Sequence, residues 1–214
     1  MTEYMTSVIE RIETYKLVPV IKLNHAKDAS PLACALEEGG LPVAEITFRT
    51  NAAEQAIKNI KRDYPDVLLG AGTVTTVDQV QRALEAGARF IVSPGVSDSV
   101  ITFCLKEGVD VFAGVCTPTE MISAMDYGLT RVKFFPAAQF GGLRTIKALS
   151  APFPGIKFMP TGGVTEQNVL EYLSFQNVFA CGGSWMVPEK YIDSGSFTDI
   201  KLLVARAVEL VSQK

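Results

Sequence analysis

Short apolar runs recur along this chain roughly every twenty to twenty-five residues, with helical patterns filling the gaps. Few folds accept that rhythm. The runs are Val18–Leu23, Val43–Phe48, Val67–Thr73, Phe90–Pro94, Val109–Val115, Arg131–Ala137, Lys157–Thr161 and Val178–Cys181. Between them lie stretches such as Ser30–Glu38, Ala52–Arg62, Val77–Glu85, Asp98–Lys106, Pro118–Asp126 and Thr165–Leu173. Ser30-Pro31 reads as an N-cap followed by proline at the first helical position, and Thr117-Pro118-Thr119-Glu120 as a capping box. Helix ends fall at Gly39-Gly40, Gly87, Gly108 and Gly128, each just ahead of the next strand.

Eight strand-then-helix units with short connections predict an α/β chain closed into one parallel (β/α)8 TIM barrel. An open doubly wound sheet is the competitor, but no Gly-x-Gly-x-x-Gly follows the first run. No linker or low-complexity segment divides the chain, so residues 1–214 are expected to form a single barrel domain. An extra amphipathic helix precedes the first strand, with Met5, Val8, Ile9 and Ile12 on one face, placed to plug the bottom of the barrel.

A formal net charge of −3 gives no bulk attraction to nucleic acid or anionic membrane, so neither partner is expected. Any phosphate must be held by local geometry instead. The start, Met1-Thr2-Glu3-Tyr4, has neither a basic n-region nor an apolar h-region, and no run is long and apolar enough to span a bilayer. A cytoplasmic location is expected. Cys34, Cys104, Cys116 and Cys181 are scattered without a Cys-x-x-Cys spacing, which disfavours structural zinc and a disulfide framework. The sole histidine, His25, cannot build a His-rich metal site and reads as a solvated loop residue.

The active site of such a barrel lies at the C-terminal ends of its strands. Alternation puts Val43, Glu45, Thr47 and Arg49 on one face of the second strand and the apolar Ala44, Ile46 and Phe48 on the other. The first set therefore faces the barrel interior or its mouth. On the sixth strand Arg131, Lys133 and Phe135 point inward by the same logic. Lys133 lies inside the apolar run Val132-Lys133-Phe134-Phe135-Pro136, where a partnerless ammonium is costly and such a group usually neutralises. A neutral lysine amine attacks carbonyls, which proposes Schiff-base chemistry on a ketone or aldehyde. The second and sixth strands are opposite one another, so Glu45 can face Lys133 and serve the proton transfers, with water or substrate between them. A purely structural buried ion pair is the alternative.

Gly162-Gly163 after the seventh strand and Gly182-Gly183-Ser184 after the eighth offer bare backbone N–H groups and a hydroxyl to an anion. Lys22, if it shares an inward face with Val18 and Val20, would add a positive charge there or be a solvated rim lysine. Gly70-Ala71-Gly72-Thr73 and Ser93-Pro94-Gly95 leave room for a ligand. Arg49 with the Thr73 hydroxyl suits a carboxylate.

In register, Val18-Pro19-Val20-Ile21, Glu45-Ile46-Thr47-Phe48-Arg49-Thr50, Gly70-Ala71-Gly72-Thr73-Val74, Ser93-Pro94-Gly95, Lys133-Phe134-Phe135-Pro136-Ala137, Pro160-Thr161-Gly162-Gly163 and Gly182-Gly183-Ser184-Trp185 resemble the KDPG/KHG aldolases. The resemblance runs from about Val8 to the C-terminal helix. It implies a class I aldolase that cleaves 2-keto-3-deoxy-6-phosphogluconate into pyruvate and glyceraldehyde 3-phosphate, with no cofactor, no metal and a homotrimeric assembly. It implies Lys133 as the Schiff-base residue and Glu45 as general acid/base, with Arg49 and Thr73 on the pyruvyl carboxylate. Pro94 would line the site and Phe135 would pack on the substrate. Thr161 would meet the polar chain, and Gly162, Gly163, Gly183 and Ser184 the phosphate. Two departures lie near the mouth: Ala138 replaces an acidic residue common in the family, and Ala113-Gly114 stands where Pro-Gly is common. Both leave substrate preference open among this substrate, its galactonate epimer and 4-hydroxy-2-oxoglutarate. Competing readings are a phosphate-binding barrel isomerase and a non-catalytic sugar-phosphate binder.

Overall fold

The computed structural model describes residues 7–212. In chain order the strands are β1 (Leu17–Ile21), β2 (Val43–Thr47), β3 (Leu68–Gly72), β4 (Phe90–Val92), β5 (Asp110–Phe112), β6 (Gly114–Val115), β7 (Arg131–Phe134), β8 (Lys157–Pro160) and β9 (Cys181–Gly183). The helices are α1 (Val8–Tyr15), α2 (Ala29–Glu38), α3 (Ala53–Asp63), α4 (Val77–Ala86), α5 (Asp98–Lys106), α6 (Pro118–Asp126), α7 (Gly142–Ser150), α8 (Val169–Leu173), α9 (Glu189–Asp193) and α10 (Phe197–Ser212).

All strand pairs are parallel, in the orders β5-β4-β3-β2-β1-β9 and β6-β7-β8. Only Ala113 separates β5 from β6, so the two are one barrel strand with a break. The other seam closes through the bridges Phe158↔Val178 and Thr161↔Gly182. The result is the eight-position parallel barrel that the alternation predicts. Register fixes which side chains face inward, because residues paired across a parallel ladder share a side. Val20 pairs with Glu45, Glu45 with Gly70, and Lys133 with both Gly114 and Met159.

Helix α1 covers the N-terminal end of the barrel. Ser7 and Glu10 form a reciprocal capping box that starts it. Its Ile12 is wholly buried, a contribution of about 1.5–3 kcal/mol. Glu13 accepts hydrogen bonds from Arg131 Nε at 2.9 Å and Nη2 at 2.8 Å, and Lys157 lies 3.5 Å from the same oxygen. Arg131 and Lys157 open β7 and β8, so this ion cluster ties α1 to the bottom of the barrel. Met5, expected on the same face, lies outside the described residues.

One cap differs from the sequence expectation. Helix α2 grows out of a short 3₁₀ turn, Ala26–Asp28, with Asp28 at the cap position and no side-chain cap bond. The Ser30 hydroxyl is already inside the helix and donates to Asp63 Oδ2 at 2.6 Å, joining α2 to the end of α3. The 3₁₀ turn starts the helix ahead of Ser30, which leaves its hydroxyl free to donate across to α3. The Thr117 box of α6 and the left-handed Gly87 after α4 form as expected.

Candidate active site

Glu45 and Lys133 meet inside the barrel. Glu45 is 0% exposed and Lys133 4%, and Lys133 Nζ lies 3.9 Å from Glu45 Oε1. That separation exceeds hydrogen-bond length. Among the described residues neither Glu45 oxygen has a hydrogen-bond partner. Burial pushes the Glu45 carboxyl above its ordinary value, against the pull of Lys133 and Arg49. An acid held neutral more easily than usual can give up a proton and take it back. The amine also lies 4.8 Å from the centroid of the Phe135 ring.

Space for the carboxylate is written into β3. Gly72 pairs with Thr47 and faces inward, and a Cβ there would collide with Glu45 Oε1. Gly114, beside Lys133, is equally bare because the Pro94 carbonyl fills the place of its Cβ. Pro94 therefore borders the Lys133 position through Gly114. Thr73 follows β3 at φ 57, a left-handed conformation that a β-branched residue adopts only at a cost. Its hydroxyl has no partner among the described residues.

At the mouth, Arg49 sits in the turn after β2 and is exposed. Its Nε donates to Thr47 Oγ1 at 3.1 Å, and Thr47 in turn donates to the Ile21 carbonyl at 2.8 Å. Thr47 thus sets the angle of Arg49 and leaves the guanidinium's outer nitrogens without hydrogen-bond partners among the described residues. Sequence reasoning put Thr47 on the right face but gave it no part in the site. Thr161 is buried and continues the interior face of Lys133 and Met159 along the next strand. Phe135 packs toward the following turn, since a Cβ at Gly162 would lie 3.4 Å from its ring.

The two glycine segments differ. Gly162 and Gly163 form a true turn, at φ 92 and 78. The Gly163 N–H donates no hydrogen bond among the described residues, whereas the carbonyls of Gly162 and Gly163 accept from Ala138 N–H at 3.0 Å and Asn168 Nδ2 at 3.0 Å. Gly182 and Gly183, expected in a turn, are the last residues of β9, and the turn begins only at Ser184. Their missing side chains serve close packing instead: a Cβ would collide with Thr161 at 182 and with the Trp185 ring at 183. Ser184 is exposed at the mouth. Lys22 points to the mouth but pairs with Glu189 at 2.5 Å. His25 is an exposed loop residue.

A parallel barrel that buries a lysine amine beside a carboxyl group without hydrogen-bond partners suits an enzyme working through amine addition to a carbonyl. A family model described as KDPG and KHG aldolase matches residues 8–203. The chain belongs to this aldolase family. The 2-dehydro-3-deoxy-phosphogluconate aldolase of Treponema pallidum (strain Nichols) is 44% identical over 207 residues, spanning 97% of this chain and 99% of that protein. The KHG/KDPG aldolase of Escherichia coli (strain K12) is 37% identical over 209 residues, 98% of each. Among solved structures, the KDPG aldolase of Legionella pneumophila has a TM-score of 0.91 at 39% identity, covering 94% of this chain and 98% of that one. That structure holds pyruvate captured at low pH as a covalent carbinolamine intermediate.

Proposed function

We propose that this chain cleaves 2-keto-3-deoxy-6-phosphogluconate reversibly to pyruvate and glyceraldehyde 3-phosphate, with Lys133 as the nucleophile and Glu45 as the proton carrier. The observation that carries the reading is the buried amine 3.9 Å from a carboxyl group that nothing else satisfies. A structural ion pair would close that gap and fill the remaining oxygen.

Lys133 Nζ adds to the C2 ketone, and Glu45 in its acid form protonates the departing hydroxyl of the carbinolamine, so that water leaves and a protonated imine and a Glu45 carboxylate remain. Glu45, as carboxylate, takes the proton of the C4 hydroxyl. The C3–C4 bond then breaks, its electron pair moves into the imine as an enamine, and the aldehyde leaves. Glu45, now protonated, returns the proton to C3. Water hydrolyses the pyruvyl imine and frees the amine. Arg49 and the Thr73 hydroxyl hold the pyruvyl carboxylate, and Pro94 lines this end of the chamber. Phe135 packs on the carbon chain and Thr161 meets its hydroxyls. The backbone of Gly162 and Gly163, with Gly183 and Ser184, takes the phosphate.

A second reading, cleavage of 4-hydroxy-2-oxoglutarate, is favoured by one observation. Gly163 and Ser184, two of the groups assigned to the phosphate, are exposed, whereas Lys133 and Glu45 are buried. A shorter, unphosphorylated substrate can react without them, and the galactonate epimer keeps every contact but the C4 configuration. The chain is proposed to act in the cytoplasm; its four cysteines are free thiols, in keeping with a reducing compartment. Among the described residues no helix is long and apolar enough to cross a membrane. A homotrimer accords with the exposed apolar residues Leu105 on α5 and Ile122 and Met125 on α6, which a neighbour would cover.

The reading is tested by borohydride reduction in the presence of pyruvate, followed by peptide mass spectrometry. A pyruvyl adduct on Lys133 is expected. An adduct on Lys22 with Lys133 unmodified refutes the assignment, and the Lys133→Arg variant should neither trap pyruvate nor turn over.

A further inference from the structure

The proposed chemistry leaves one ionic contact at the mouth unused. Val18 and Val20 face the barrel interior, since Val18 pairs with Gly182 and Val20 with Glu45. Lys22 continues that face past the end of β1. Its ammonium lies 2.5 Å from Glu189 Oε1, and Asn24 Nδ2 donates to the same oxygen at 3.1 Å. Glu189 opens α9 just beyond Ser184. The intervening chain folds tightly, with the Val187 N–H donating to the Ser184 carbonyl at 3.1 Å and Met186 and Val187 buried. The Lys22–Glu189 contact therefore spans the β1–β9 seam, beside the turns that bear the free donors.

The contact is not built as a permanent clasp. The two side chains are 33% and 45% exposed, and a rim ion pair of this kind contributes little to stability. Lys22, Asn24 and the nearby Arg49 hold the Glu189 carboxyl below its ordinary range, so it stays a monoanion at neutral pH. A substrate phosphate brings close to two negative charges and three acceptor oxygens. Glu189 loses little on release, because Asn24 still donates to it. A lysine on the interior face, facing a single exposed carboxylate, is placed to exchange that carboxylate for a better anion.

We propose that Lys22 is a specificity residue for phosphorylated substrates, and that Glu189 is the counter-ion it releases when the phosphate docks at the Gly162–Gly163 and Ser184 turns. This rests on the aldolase reading and on those turns being the phosphate site. Selectivity then comes from a charge exchange at the rim, separate from the reacting pair.

The experiment measures competitive inhibition by inorganic phosphate, and the ratio of kcat/KM for 2-keto-3-deoxy-6-phosphogluconate over 4-hydroxy-2-oxoglutarate. It compares wild type with Lys22→Met, Lys22→Arg and Glu189→Gln. Lys22→Met removes a charge-assisted contact, so the phosphate Ki should rise about tenfold and the ratio fall about tenfold. Lys22→Arg should restore most of both. Glu189→Gln keeps the shape and the Asn24 contact but discards the competing charge, so the phosphate Ki should fall severalfold. A structural clasp predicts otherwise: Lys22→Met and Glu189→Gln would both loosen the same contact and move Ki in the same direction, or leave it unmoved. Either result overturns the proposal. Pyruvate trapping by borohydride, which involves no phosphate, is run alongside. Failed trapping in the wild type overturns the aldolase reading itself, whereas intact trapping with opposite Ki shifts supports the charge exchange.

Discussion

Replacing Glu45 by glutamine separates catalysis from folding at a single atom pair. Both carboxylate oxygens are buried without partners, and burial raises the carboxyl above its ordinary 4.5 despite the cations Lys133 and Arg49. Below about pH 4.5 the group is protonated in folded and unfolded chains alike and carries no titration cost. As pH rises further, the unfolded chain ionises first. The fold then loses up to about 1.36 kcal/mol per pH unit until the buried carboxyl also ionises, after which the loss is constant. The Glu45→Gln variant does not titrate at this position, so its stability relative to wild type should climb from about pH 4.5 towards neutrality. The gain at neutral pH should be about 1–3 kcal/mol, the usual cost of an unsatisfied buried polar group, less whatever the amide itself leaves unpaired. Urea denaturation followed by Trp185 fluorescence, at fixed protein concentration and from about pH 5 to about pH 8, reads this difference. Turnover should fall roughly 10²–10⁴-fold in the same variant with little change in KM. A variant about 3–5 kcal/mol less stable than wild type, with no pH trend, would refute the reasoning, because that is the signature of breaking a buried ion pair.

Gly72→Ala puts a methyl group where the Glu45 carboxylate lies, so kcat should drop about 10²-fold while circular dichroism stays native; near-normal turnover would mean that Glu45 can act from elsewhere. Thr73→Gly relieves a left-handed backbone at φ 57 and removes a hydroxyl, so unfolding free energy should rise by about 0.5–1 kcal/mol while KM for pyruvate in the condensation direction increases. Ser184→Ala should lower kcat/KM about tenfold for the phosphorylated substrate only, and an equal loss with 4-hydroxy-2-oxoglutarate would detach Ser184 from the phosphate. Gly163→Asp is a blunter probe. Any side chain there must strain a φ of 78 and collide with Ala138, so its effect mixes charge with structure.

The sequence by itself determined the barrel, because its signals are local. Period-two alternation, capping residues and left-handed glycines act within a few residues of one another, and eight repeats of them leave one economical closure. It also determined that Lys133 and Glu45 face inward, since an apolar opposite face admits no other choice. What lies between strands was decided only on closure. No local pattern shows that Glu45 loses every hydrogen-bond partner, that Gly72 is bare to make room for it, or that Thr73 is held left-handed beside it. Two assignments shifted for the same reason. Gly182 and Gly183 read as turn residues but are strand residues kept bare by Thr161 and Trp185, and Ser30 caps no helix because a 3₁₀ turn starts α2 ahead of it and its hydroxyl donates to the distant Asp63 instead. Glu189 is the clearest case. An exposed acid at the start of a short helix carries no sequence signal, and it meets Lys22 only because the ring of strands brings the end of β1 against the segment that follows β9.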